Sequence, residues 1–483
     1  MMAENNQKKL PLIVDLDGTL LATDTLYESF VQNFFSQPIK TLAACLEVRK
    51  GKAALKTALS ELGGVETRTM PKNSELVAYL EAEKANGRSI HLVTAAHQTI
   101  ASQISQESGL FESATGSSKE TNLKSSRKAE YLKKTYPGGF VYAGDNQADL
   151  PVWRAASAAI PVGVKPSVAR SLAAQDTPIE ARLDGVTKGG SLRNWLKALR
   201  LHQWSKNILL FVPIVLSHSY DDPALVIKTL LGFIIMGLVA SGTYILNDLS
   251  DLSADRQHST KHRRPFAAGA IAVQEGFLAM LILIVGGVCA AFALQPLFGA
   301  GILLYLVTTL SYSLWLKRIA LLDVFILSLL YAIRVLLGLI LVSAVLSAWL
   351  LAFSFFFFYS MSLAKRHVEL IRSDVAPNEM IPGRGYKPSD WPLTLNLGGA
   401  SAVAAIIVIV LYLTEEAFPS GSYSTTGFLW AAPVLIALWV QRIWLLAHRG
   451  DLDDDPVAFA VKDPVSIALG ITMALFVAAA ILV

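Results

Sequence analysis

The residues best suited to chemistry are the acids of Asn247-Asp248-Leu249-Ser250-Asp251-Leu252-Ser253-Ala254-Asp255. The run before them, 225–246, is almost wholly apolar and long enough to cross a bilayer. On a helix, Asp248, Asp251 and Asp255 fall at steps of three and four and share one face. Three like charges there repel each other unless a cation sits among them. Oxygen-only ligands open to a cavity favour Mg²⁺ held together with a substrate's phosphates. This spacing points to chemistry on a diphosphate at a membrane surface.

A second group of acids stands near the start of the chain. Leu12-Ile13-Val14 reads as a strand running into Asp15-Leu16-Asp17-Gly18-Thr19. Another strand, Ile90-His91-Leu92-Val93, ends in Thr94, and Phe140-Val141-Tyr142-Ala143 ends in Gly144-Asp145-Asn146-Gln147-Ala148-Asp149. Open α/β sheets bind ligands at the carboxyl ends of their strands, where these polar residues fall. Between the last two strands lies Asn122-Leu123-Lys124.

These four pieces, in this order, resemble the haloacid dehalogenase (HAD) phosphatase superfamily over roughly the first 170 residues, with the insert 22–85 in the place of a small cap. The resemblance implies that Asp15 is a nucleophile forming an aspartyl-phosphate, and that Asp17 serves as acid and then base. It also implies that Thr94 and Lys124 hold phosphoryl oxygens, with Lys128 the weaker candidate for the lysine role. Mg²⁺ would sit between Asp15, Asp145 and the backbone of Asp17, and Asp149 would hold the site together through Lys124 or the metal shell. The contrary reading is a HAD-shaped domain without turnover, serving as regulator or folding partner.

Two regions of different composition must position these groups. Across 483 residues, 53% are hydrophobic and 17% charged, but the apolar residues concentrate beyond about Arg200. A net charge of +4 is too mild to argue for nucleic acid, and Cys45 and Cys289 lack the spacing of a disulfide framework or zinc site. About nine spans are expected, near 207–217, 225–246, 271–293, 296–316, 320–341, 344–363, 397–414, 428–447 and 465–483. Basic loops alternate with neutral or acidic ones. The positive-inside bias, and an N-terminus without an apolar signal segment, place the N-terminal domain in the cytoplasm and the remainder in the inner membrane. Residues 174–190 read as a linker, and 191–204 as an amphipathic helix at the membrane surface.

The membrane half resembles the UbiA superfamily of intramembrane transferases, which carry an NDxxDxxxD motif after the second helix. Here that motif is Asn247, Asp248, Asp251 and Asp255. Its flanks, Arg200-x-x-Gln203-Trp204-x-Lys206-Asn207 and Asp255-Arg256-x-His258-x-x-Lys261-x-Arg263-Arg264-Pro265, look most like the decaprenyl-phosphate phosphoribosyltransferase branch. Prenyltransferases of the superfamily carry a second DxxxD motif in a later loop. Here that loop runs Lys365-Arg366-His367-Val368-Glu369-Leu370-Ile371-Arg372-Ser373-Asp374, basic where acids are expected. One acidic and one basic cluster suit one Mg-chelated diphosphate plus one directly bound phosphate.

The expected architecture is thus an α/β HAD-like Rossmannoid domain (1–173), a linker (174–190) and an all-α UbiA-like membrane domain (191–483). The resemblance implies transfer of 5-phosphoribosyl from phosphoribosyl pyrophosphate to a polyprenyl phosphate, then removal of the product's 5-phosphate by the HAD domain. Asp248, Asp251 and Asp255 would hold Mg²⁺ beside Asn247. Lys261, Arg263 and Arg264 would clamp the donor's phosphates, and Lys206, Lys365 and Arg366 the lipid phosphate. Arg334 interrupts an apolar run, so a partner is expected for it, either the donor or Asp323. Two other readings remain open: an aromatic prenyltransferase of the ubiquinone or haem type with an attached phosphatase, and a non-catalytic lipid-binding protein.

Overall fold

The computed structural model describes residues 9–63, 65–119, 121–185, 191–344, 347–452 and 456–482. Residues 186–190 of the expected linker lie outside them. Two compact units form: one takes the chain up to Leu199 together with Tyr244–Met280, the other takes Arg200–Thr243 and the chain from Leu281 onward. The stretch bearing the aspartate motif therefore belongs with the N-terminal unit.

The N-terminal unit is built on β1 (Leu12–Val14), β2 (Ile90–His97), β3 (Ser113–Ser117), β4 (Val141–Gly144) and β5 (Ala158–Pro161). They form one parallel sheet in the order β3-β2-β1-β4-β5, with β1 registered against both β2 and β4. Side chains alternate across it. Leu12 and Val14 join Leu76, Leu80, Leu92 and Ile104 on one face, and Ile13 joins Leu132, Tyr142 and Trp153 on the other. All three β1 side chains are fully buried, each contributing about 1.5–3 kcal/mol of apolar burial. The chain turns from one half of the sheet to the other between β1 and β4, which opens a crevice beyond their carboxyl ends. Asp15 follows β1, and Asp145 follows β4. Short β3 and β5, with small or polar residues, escaped the sequence reading.

The insert after β1 contains helices Thr25–Ser36, Pro38–Cys45 and Lys52–Leu62. Asp24 caps the first by accepting the Leu26 N–H at 2.9 Å. Residues 244–280 pack on this insert: Phe277 meets Phe30 and Phe34 edge-on, at centroid distances of 5.0 and 5.2 Å. Gln257 donates to Glu66 at 3.0 Å.

Among the described residues, eight helices are long and apolar enough to cross a membrane: Pro223–Ser250, Val273–Leu294, Pro296–Leu314, Leu322–Val342, Ala348–Ile371, Pro388–Ala417, Thr426–Arg449 and Pro464–Leu482. The expected span at 207–217 is not one of them. It folds as a 3₁₀ stretch, Leu201–Phe211, and a five-residue helix, Val212–Leu216, too short to cross. The expected surface helix at 191–204 is likewise only Leu192–Ala198, because Arg200 adopts a left-handed φ of 49°.

Candidate active sites

The N-terminal site forms where β1, β2 and β4 end. Asp15 is 7% exposed, and its Oδ1 accepts the Leu16 N–H at 2.8 Å. Lys128 Nζ reaches the same oxygen at 2.8 Å and donates to the Tyr142 hydroxyl at 2.9 Å. The lysine paired with Asp15 is therefore Lys128, the weaker of the two candidates read from the sequence. Lys124 stands exposed in the loop, whereas Lys128 lies one turn later on the buried face of helix Ser126–Thr135.

Asp17 accepts the Thr25 N–H at 2.8 Å. Burial, reinforced by the Asp24 charge and, more weakly, by Asp15, pushes its carboxyl up to about 7, against the lowering effect of the Thr25 bond. Thr94 is fully buried, and its hydroxyl accepts the Ala96 N–H at 3.0 Å. Asp145 accepts from Thr19 at 3.2 Å and from the Asn146 amide at 2.9 Å. Asp149 takes the Tyr142 hydroxyl on one oxygen, and the N–H groups of Asp145 and Asn146 on the other. Burial, then the Asp15 charge, raises Asp149 to about 6. Gly144 permits this approach, since a Cβ there would lie 2.8 Å from the Asp149 carboxyl carbon.

Oxygens of Asp15, Asp145 and Asp149 lie within 4.8 Å of one another. This donor set fits Mg²⁺, with Asp15 and Asp145 as the residues to hold it. Asp149 already accepts on both oxygens, so it is suited to orienting the loop rather than ligating. Lys56, on the insert helix Lys52–Leu62, was missed. It donates to the Ala95 carbonyl at 2.5 Å. Burial pulls its ammonium down from the usual range, while Asp17 and Asp24 oppose that shift. Nothing in the sequence distinguishes it from the other lysines of the insert.

The aspartate motif differs from a continuous helix face. Helix Pro223–Ser250 ends at the motif, and Asp251 heads a second helix, Leu252–Gln257, leaving its own side chain exposed. Asp248 and Asp255 are buried, and Arg264 Nη1 lies 3.0 Å from one and 2.7 Å from the other. The cation demanded by the repelling acids is supplied in part by the chain itself. Arg264, expected to clamp donor phosphate, instead engages one oxygen of each acid. Unlike Asp15, Asp145 and Asp149, the acids Asp248, Asp251 and Asp255 are not drawn together among the described residues into one cluster of converging oxygens; Asp251 stands exposed beside the pair held by Arg264. Lys261 and Arg263 stand exposed on the following turn.

In the second unit, Lys206 and Lys365 line one small cavity of about 40 Å³ with Tyr331, Met361 and Ser362. Arg366 does not join them. It is 1% exposed and pairs with Asp323 and Glu369, while Tyr386 donates to Asp323 at 2.7 Å. One position along the helix turns its side chain away from that of Lys365, so the expectation that it holds lipid phosphate is corrected. Arg334 is not the partner of Asp323 either. It bonds the Asn207 side chain at 3.1 Å, the Leu330 carbonyl at 2.7 Å and the Tyr305 hydroxyl at 3.1 Å. Its guanidinium also lies over the rings of Tyr305 and Tyr331.

The model of the UbiA prenyltransferase family matches residues 208–481. The chain belongs to this family. As a UbiA family member it is a multi-pass membrane protein, here joined to an N-terminal α/β unit on a five-stranded parallel sheet. An uncharacterized protein, y4nM, of Sinorhizobium fredii is 44% identical over 97% of this chain and 90% of its own length. Nodulation protein NoeC of Azorhizobium caulinodans is 35% identical, covering 58% of this chain and 91% of that protein. Decaprenyl-phosphate phosphoribosyltransferase of Mycobacterium tuberculosis is 29% identical, over 59% and 93%. Among solved structures, a UbiA homolog from Archaeoglobus fulgidus bound to GPP and Mg²⁺ is 17% identical, with a TM-score of 0.43, over 59% of this chain and 98% of that one. A phospho-aspartyl intermediate analogue of phosphoserine phosphatase is 16% identical, with a TM-score of 0.27, over 37% and 94%.

Proposed function

We propose that the chain is a two-step membrane enzyme that transfers 5-phosphoribosyl from phosphoribosyl pyrophosphate to a polyprenyl phosphate and then removes the 5-phosphate. The observation that carries the reading is the lining of one cavity by Lys206 and Lys365, the latter near the end of helix Ala348–Ile371, in the stretch of sequence where a second acidic motif would serve a prenyl diphosphate. Two ammonium groups suit a phosphate bound directly. The relative named decaprenyl-phosphate phosphoribosyltransferase supports a polyprenyl phosphate as acceptor and phosphoribosyl as the group transferred.

In the first step, a lipid phosphate oxygen attacks the anomeric carbon of the ribose, and the bond to pyrophosphate breaks with its electron pair leaving on the pyrophosphate. The lipid phosphate is already an anion, so no general base is needed. Asn247, Asp248, Asp251 and Asp255 would hold Mg²⁺, which when bound neutralises charge on the diphosphate. Lys261 and Arg263 stand ready for the donor's remaining phosphates. In the second step, Asp15 attacks the 5-phosphate while Asp17 gives its proton to the departing sugar oxygen. Asp17 then takes a proton from the water that cleaves the aspartyl-phosphate. Thr94 and Lys128 hold phosphoryl oxygens, and Asp145 with Asp15 would hold the metal of this site. Residence on one chain raises the effective concentration of the first product for the second step.

The test supplies phosphoribosyl pyrophosphate and polyprenyl phosphate to the full chain with Mg²⁺ and follows lipid products by mass spectrometry. Asp15→Asn should accumulate the phosphorylated lipid, and Asp251→Asn should yield no lipid product. Product formation instead from an isoprenyl diphosphate and an aromatic acid would overturn the reading.

A further inference from the structure

The insert of the HAD-like domain carries an exposed apolar surface that neither catalytic site uses. Helix Pro38–Cys45 and the 3₁₀ turn Leu46–Lys50 present Ile39 at 82% exposure, Leu42 at 56%, Leu46 at 60% and Val48 at 49%. Only Thr41 and Ala44 of the helix turn inward. Four such residues grouped within ten positions form a patch, not the scattered exposure usual for a soluble surface.

The rim of this patch is basic. Lys40, Arg49, Lys50 and Lys52 are exposed, against one acid, Glu47, which pairs with Lys50 at 2.9 Å. An apolar strip bordered by cations matches the interface of a bilayer containing anionic lipid, where acyl chains meet negative headgroups.

Its position in the unit agrees with that partner. The preceding helix, Thr25–Ser36, packs Phe30 and Phe34 against Phe277. Phe277 lies four residues into the membrane-spanning helix Val273–Leu294, about 6 Å along its axis from the start. Ile39 follows Phe34 by five residues, at most about 18 Å of extended chain. The patch is therefore tethered close to the level at which that span leaves the bilayer.

We propose that residues 38–52 are a membrane-docking element, lying among anionic headgroups with Ile39, Leu42, Leu46 and Val48 turned toward the acyl chains. Helix Lys52–Leu62 follows directly and carries Lys56 toward Asp17. Docking thus holds the cap of the phosphatase-like site at the lipid surface. The inference rests on the spans and on this patch, and stands apart from either catalytic assignment.

The full chain, with Cys45→Ser and Cys289→Ser, is spin-labelled at Leu42→Cys or Leu46→Cys and reconstituted in nanodiscs of phosphatidylcholine with phosphatidylglycerol. A label at Glu81→Cys, on the exposed face of helix Ser74–Ala85, is the reference. Labels at 42 and 46 should favour collision with oxygen over a water-soluble nickel chelate several-fold more than the label at 81. Omitting phosphatidylglycerol should shrink that preference. Equal preferences at the three positions would overturn the proposal, as would shielding of 42 and 46 from both reagents, the sign of a protein partner such as a second copy. A preference unchanged without the anionic lipid would overturn the role of the basic rim.

Discussion

Arg256 and Glu28 form a buried ion pair although 228 positions separate them. Their side chains are 4% and 0% exposed, with Nη2 to Oε1 at 2.6 Å, and Glu28 also accepts the Thr23 hydroxyl at 2.7 Å. Arg256 directly follows Asp255 of the aspartate motif. Glu28 lies in the first turn of the helix whose initial residue, Thr25, donates to Asp17. One guanidinium thus fastens the short helix bearing the last acid of the aspartate motif to the helix that seats Asp17 of the N-terminal site.

Removing one partner should be costly. Arg256→Leu strands an uncompensated carboxylate and should lower stability by about 3–5 kcal/mol, whereas Arg256→Leu with Glu28→Leu should recover much of that. Denaturant unfolding of the full chain in detergent checks this. Equal losses in the single and double variants would refute it.

On the proposed function, the two candidate lysines of the N-terminal site should behave oppositely. Lys128→Met should slow hydrolysis of a phosphate monoester by about 10²–10³-fold, because a cation against Asp15 and the phosphoryl oxygens is lost. Lys124→Met should leave it nearly unchanged. Steady-state rates with p-nitrophenyl phosphate decide between them.

Acid catalysis by Asp17 gives a pH dependence with a definite sign. Its carboxyl, raised to about 7, keeps its proton below that pH and loses it above. Phosphoryl transfer to Asp15 should therefore fall about tenfold per pH unit once the pH exceeds that value. Rapid-quench trapping of the phosphoenzyme measures it, and a flat profile would count against the role of Asp17.

Neighbouring Lys365 and Arg366 should separate binding from stability. Lys365→Ala should raise the apparent KM for polyprenyl phosphate by about 10–100-fold, the loss of a charged hydrogen bond. Arg366→Leu should instead lower the thermal midpoint, because Asp323 is left buried beside Tyr386 alone. Kinetics and melting curves on both variants test the division.

Strand ends and apolar runs were legible because a buried sheet and a bilayer each impose a period or a length on the sequence. Thus β1, β2, β4 and most spans followed from pattern. Less legible was which polar residue satisfies which. The pairing of Arg264 with Asp248 and Asp255, and of Arg366 with Asp323, depends on how loops return in space. Lys128 was passed over for Lys124 because local context says nothing about helix face. The span at 207–217 failed because the apolar run folds as a 3₁₀ stretch and a five-residue helix, too short to cross a bilayer.

The grouping of Tyr244–Met280 with the N-terminal residues means that the N-terminal portion is not a bead on a string. Cutting the gene between Gly185 and Ser191 would yield a fragment whose Phe30 and Phe34 had lost their aromatic neighbour and whose Glu28 had lost its counter-ion. Such a fragment should aggregate or demand detergent. Part of its packing, Arg256 and Phe277, is encoded beyond the following membrane helix.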